Sequence, residues 1–106
     1  MTKTTENILR IETASIGQVK VVLKGGAEEI VVEKKQQFGS QVLLNMIEKI
    51  LKNGGVEMKD LKGIEVNTGP GSFTGIRVGV SVANALGFSL KIPVNGKQME
   101  TELKYQ

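Results

Sequence analysis

Ser72 and Thr74 are the hydroxyls best placed to do chemistry, because they sit in the densest turn-forming stretch of the chain, Gly69-Pro70-Gly71-Ser72-Phe73-Thr74-Gly75. Three glycines and a proline in seven residues imply sharp turns and close backbone approach. The stretch lies between a strand pattern and a helix pattern, so both hydroxyls would stand near a helix N-terminus, where they can cap free amides or flank a phosphate. The familiar phosphate signatures do not fit. The third glycine falls at Gly75, one residue too late for G-x-G-x-x-G, and no lysine follows to make a P-loop. As nucleophiles, Ser72 and Thr74 have no base: the chain contains no histidine and no cysteine, and neither Lys62 nor Lys91 stands at a recommending spacing. The same absence removes disulfides, thiolates and every common zinc or iron ligand set except carboxylates, so neither a metal nor intrinsic catalysis is expected. On spacing alone the stretch reads as a structural turn that aligns strand and helix.

The elements around it follow from periodicity. A short β-type run at 8–13 leads through a turn at 14–17 into a second at 18–24, and Gly25-Gly26 forms a tight hairpin loop into a third at 27–33. From Ser40 the period changes. Leu43, Met46, Ile47, Ile50 and Leu51 recur at helical spacing, with Ser40 as the expected N-cap and Asn53-Gly54-Gly55 as the stop. A single turn at 58–61 precedes a fourth strand at 63–68, a long apolar helix spans 76–90, and Ile92-Pro93-Val94 reads as a brief fifth strand closed by Asn95-Gly96. The last ten residues could begin another helix. This order is α/β, with parallel pairing wherever a helix connects two strands.

With 106 residues, 40% apolar and 24% charged, the chain can build one domain and not two, preceded by a polar tail over 1–7. Its net charge of +3 comes from scattered lysines with no run longer than Lys34-Lys35, and one tyrosine and three phenylalanines offer little for stacking bases. Direct RNA recognition is not expected. No apolar run approaches the ~20 residues of a membrane span, and the first residues lack a signal peptide's apolar stretch, which reads as cytoplasmic.

The helix at 76–90 is apolar over most of its circumference, with only Arg77, Ser81 and Asn84 forming a polar stripe. Such a helix is covered on more than one side. Gly79, Ala83 and Gly87 recur every fourth residue as a smooth ridge on which a partner helix could pack, so Ala83→Arg is expected to weaken association and leave the fold intact. The expected partner surface comprises Leu43, Leu44, Met46, Ile47 and Ile50 on the first helix, and Ile76, Gly79, Val80, Ala83 and Gly87 on the second.

The segment Leu61-Lys62-Gly63-Ile64-Glu65-Val66, then GPGSFTG, then Ile76-Arg77-Val78-Gly79, resembles the hallmark of the TsaB (YeaZ) family. The opening run Ile8-Leu9-Arg10-Ile11-Glu12-Thr13 is similar to that family's first strand. The resemblance implies an actin/Hsp70/sugar-kinase-like (ribonuclease H-like) lobe with a five-stranded mixed sheet, its first three strands antiparallel, flanked by helices. It also implies a non-catalytic subunit of the system that makes threonylcarbamoyladenosine in tRNA, paired with a TsaD-type subunit and, in the same complex, a TsaE-type ATPase. Three features depart from the family. Glu12 stands where an Asp is usual, Gly39 where a His is usual, and the family's carboxy-terminal lobe has no counterpart in these residues. Two other readings are open: a half-site for nucleotide, in which Glu12, Thr13, Ser15 and the GPGSFTG loop face phosphate, or a homodimer built on the two apolar helices.

Overall fold

Alternation of apolar and polar residues sorts the strands into an inner and an outer face. The computed structural model describes residues 6–25, 28–35 and 39–101. It contains β1 (Asn7–Glu12), β2 (Gln18–Gly25), β3 (Glu28–Lys35), α1 (Ser40–Gly54), a 3-10 turn (Met58–Asp60), β4 (Leu61–Val66) and α2 (Phe73–Leu90). The sheet order is β3-β2-β1-β4, with β1 antiparallel to β2, β2 antiparallel to β3, and β4 parallel to β1. The expected mixed α/β sheet with an antiparallel opening is therefore observed. Two rows of side chains cross it: Ile30, Leu23, Leu9 and Ile64 stand in register, as do Val32, Val21, Ile11 and Val66.

These rows form the floor of the core. Helix α1 lies over β2 and β3, α2 lies over β4 and β1, and the two helices touch each other. On the opposite side of the sheet Arg10, Glu12, Lys24 and Glu65 are linked by ion pairs, with Arg10 Nε 2.7 Å from Glu12 and Lys24 Nζ 3.4 Å from Glu65.

Several boundaries differ from the sequence reading, each for a local reason. Asn7, expected in the tail, begins β1, and its side-chain amide donates to the Asp60 carbonyl at 3.3 Å. The Gly25-Gly26 loop falls partly outside the described residues, as do residues 1–5. Strand β4 starts at Leu61 because the register shifts opposite Asn7 and Ile8, and this irregularity turns both Leu61 and Ile64 inward although they are three residues apart. Ser40 is the first helical residue of α1 and not its cap. Gly39 holds the N-cap position with no side-chain hydrogen bond, while Gly55, at φ 67°, closes the other end by donating to the Leu51 and Lys52 carbonyls.

The fifth strand shrinks to one parallel bridge between Val94 and Ile64. The chain turns back at once through Asn95 and Gly96, both at positive φ, so Val94 pairs with Lys97 instead of extending along β4. No helix forms over residues 97–101, and 102–106 lie outside the described residues.

The helix surfaces differ most from expectation. Of the ten residues assigned to a partner, nine are buried within the lobe, and Leu44 alone is exposed. The reason lies in the ridge. Gly79 sits under Thr13, Val66 and Ile11, Ala83 is fully buried, and Gly87 sits under Val94 and Ile92, so the smooth side of α2 faces the sheet. Close seating on that side draws Ile76, Val80 and Val82 into the core as well. Helix α2 is 18 residues long and apolar enough by composition to cross a membrane; its inner side packs on two strands and α1, and 39% of it is buried. Ala83→Arg should therefore unfold the lobe and not merely weaken association. Burying an unpaired guanidinium in this contact costs more than about 4 kcal/mol, and a cooperative thermal transition like the parent's would contradict the packing.

Candidate functional site

The GPGSFTG loop is placed by the turn that ends β1. The Ser72 amide donates to the Ala14 carbonyl at 2.7 Å, and the Gly69 amide donates to Asn67 Oδ1 at 2.9 Å, beside a cis Gly69-Pro70 peptide. Ser72 caps α2, its hydroxyl accepting from the Gly75 amide at 3.2 Å, so the helix begins at Phe73, three residues before the apolar periodicity starts.

Behind this cap the two backbones nearly touch. A Cβ on Gly71 would fall on the Ala14 carbonyl oxygen, one on Gly75 on the Thr13 carbonyl oxygen, and one on Gly79 on the Thr13 hydroxyl. The Thr13 side chain is fully buried and donates to the Gly75 carbonyl at 2.6 Å. Gly71, Gly75 and Gly79 thus form one four-residue series that lets α2 dock on Thr13-Ala14. Sequence reasoning grouped Gly79 with Ala83 and Gly87, and expected sharp turns and close backbone approach of the loop glycines. Gly75 is helical, and close approach is what requires it.

The residues assigned to a phosphate half-site do not converge. Glu12 points to the open side of the sheet, where its carboxylate accepts from Arg10 Nε at 2.7 Å and Asn67 Nδ2 at 3.0 Å. Thr13, the next residue in the strand direction, points the opposite way into the helix contact. Ser15 is exposed and shares a shallow depression with Glu12, Gln18 and Lys20, but Thr13 is not part of it. Ser72 and Gly75 are occupied with each other and with β1. Phe73 and Thr74 are exposed, with the Arg77 guanidinium 5.2 Å above the Phe73 ring. Among the described residues, the exposed large apolar groups outside the expected partner surface are Ile16 at the β1–β2 turn, Val31 on β3, Phe73 and Phe88 at the two ends of α2, and Met99. A turn position and two helix-end positions carry no periodic signal that would mark them as exposed.

Two substitutions test the contact. Gly75→Ala should destabilise the lobe by about 2 kcal/mol or more, since backbone must move to admit the methyl. Thr13→Val, which removes the second hydrogen bond to a Gly75 carbonyl that keeps its helical partner, the Gly79 amide, should cost about 0.5–1.5 kcal/mol. Urea denaturation checks both, and a Gly75→Ala midpoint equal to the parent's would show that the helix does not seat this closely.

With this geometry in place, three comparisons identify the lineage. The family model for TsaD, described as tRNA N6-adenosine threonylcarbamoyltransferase, matches residues 19–97. The tRNA threonylcarbamoyladenosine biosynthesis protein TsaB of Buchnera aphidicola is 46% identical over 54 residues, covering 51% of this chain and 26% of that protein. The protein of the same name from Haemophilus influenzae is 32% identical over 87 residues, covering 82% of this chain and 37% of that protein. Among solved structures, YeaZ from Pseudomonas aeruginosa superimposes with a TM-score of 0.78 at 28% identity, over 84% of this chain and 42% of that one. The chain spans between about a quarter and two fifths of the length of these relatives. It belongs to the TsaD family, and its relatives and fold place it with proteins of the TsaB (YeaZ) type.

Proposed function

We propose that this chain is a non-catalytic lobe of the apparatus that makes threonylcarbamoyladenosine in tRNA. In this reading it is a TsaB-type subunit that docks on a TsaD-type transferase, with a TsaE-type ATPase in the same assembly. Transfer RNA is reached only through that assembly, which operates in the cytoplasm. The observation that carries the reading is the state of the GPGSFTG loop. Its glycines and Ser72 are consumed in seating α2 on β1, which leaves no hydroxyl paired with a base. The same geometry speaks against a half-site for nucleotide. Glu12 presents a carboxylate already held by Arg10 and Asn67, and Thr13 faces away from it.

Docking then uses the outer sides of the helices, since their inner sides are filled. Leu44 on α1 and Phe73, Arg77 and Phe88 on α2 supply the exposed apolar and cationic groups, the residue types that anchor interfaces. In the absence of a TsaD-type subunit, the same surface would join two copies of the chain.

Co-purification with a TsaD-type subunit, followed by sedimentation of the mixture and of the chain alone, tests the proposal. The parent should associate, and Leu44→Arg or Phe88→Glu should weaken association by about tenfold or more with an unchanged thermal transition. A strict monomer that ignores the TsaD-type subunit would overturn it. Purified alone, the chain should show neither hydrolase nor transferase turnover, and a turnover abolished in Ser72→Ala would refute the non-catalytic assignment.

A further inference from the structure

The two edges of the sheet are guarded differently. Edge strand β3 carries Glu28, Glu29, Glu33, Lys34 and Lys35, all exposed, which discourages pairing with another chain. The outer edge of β4 runs through Ile64 and Val66, and the strand carries only two charged residues, Lys62 and Glu65. It is closed by hydrogen bonds instead. The Ile64 amide donates to the Pro93 carbonyl at 2.9 Å, and the Asn95 amide donates to the Ile64 carbonyl at 2.8 Å. There the backbone turns away, and the Asn95 side chain takes over. The Val66 amide donates to Asn95 Oδ1 at 2.8 Å, and Asn95 Nδ2 donates to the Val66 carbonyl at 3.1 Å. One carboxamide thus makes the two hydrogen bonds that a neighbouring strand would make.

The carboxamide is held in that pose. Asn95 lies at φ 53° in a turn with Gly96, where Val94 and Lys97 exchange both backbone hydrogen bonds. Its Nδ2 also donates to Glu100 Oε1 at 2.7 Å, and Glu100 is buried. Lys97 Nζ pairs with Glu100 Oε2 at 3.2 Å. The Glu100 backbone is fixed to α2 by Asn84, which accepts from its amide at 2.9 Å and donates to its carbonyl at 2.8 Å. Four polar side chains therefore tie the segment after α2 across the end of β4.

We propose that Asn95 is a side-chain plug on the outer edge of β4, closing a strand edge that would otherwise pair with an extended segment of a second copy of this chain. Unplugging exposes the Val66 amide and carbonyl as a matched pair beside an apolar row, which is the template for strand addition.

Asn95→Gly tests this, because glycine keeps the positive φ of the turn and removes only the carboxamide. Amide hydrogen exchange then has an internal control. Val66 donates outward to Asn95, whereas the next residue, Asn67, donates inward to the Ile11 carbonyl at 3.1 Å. Exchange at Val66 should accelerate about tenfold or more while Asn67 keeps the parent's rate. Sedimentation should show the variant assembling beyond the parent's own state as concentration rises. Unchanged exchange at Val66 would overturn the plug, as would equal acceleration at Val66 and Asn67, which signals general loosening. Selective acceleration without further assembly would overturn the claim that the edge is open to a second copy.

Discussion

Everything in this lobe depends on how closely the N-terminal half of α2 approaches the backbone of Thr13 and Ala14. The contact is with main chain at Gly71 and Gly75 and with the Thr13 side chain at Gly79, so a Cβ fits at none of the three. It is locked by two hydrogen bonds, from the Ser72 amide to Ala14 and from the Thr13 hydroxyl to Gly75. Because a helix is rigid, fixing one end fixes the rest. Gly87, eight residues beyond Gly79, then lands under Val94, and the segment after α2 is brought to the edge of β4. The most distinctive stretch of the sequence is therefore what seats α2 on the end of β1.

Close seating also explains where the apolar residues go. A helix with bulky residues on its inner side would stand off the sheet and expose its flanks. The small ridge lowers α2, so Ile76, Val80 and Val82 reach the floor formed by Ile11 and Val66, and α1 completes the cover from the β2 and β3 side. The lobe thus buries the inner side of the helix, while Phe73 and Phe88 at its two ends stay exposed.

The element order, the mixed pairing and both helices were legible in the sequence, because they rest on periodicities that burial enforces. So was the motif, because Gly69 to Gly75 is a specific string. The direction of the small ridge was not. Gly79, Ala83 and Gly87 read equally well as a groove for another helix and as a seat on this chain's own sheet, and only the position of Thr13 decides between them. The fate of residues 92–100 was hidden for a similar reason. Ile92-Pro93-Val94 has strand character, but strand length is set by Asn95-Gly96, and the pairing of the Asn95 carboxamide with Val66 has no sequence signal beyond a turn residue.

Polar side chains are used in two distinct ways here, and the difference bears on function. Thr13, Ser72, Asn84, Asn95 and Glu100 are directed at backbone groups or at each other, holding the fold at points where main-chain pairing runs out. Arg10, Glu12, Lys24 and Glu65 form a chain of ion pairs on the uncovered sheet face, where exposed pairs contribute little stability. Neither set places a nucleophile beside a base, and neither leaves a carboxylate aimed at an open cleft. The exposed large apolar groups are instead peripheral, among them Ile16, Val31, Leu44, Phe73, Phe88 and Met99. The polar groups that hold the fold are thus spent inside it, and the surface that remains for outside contact is in part apolar.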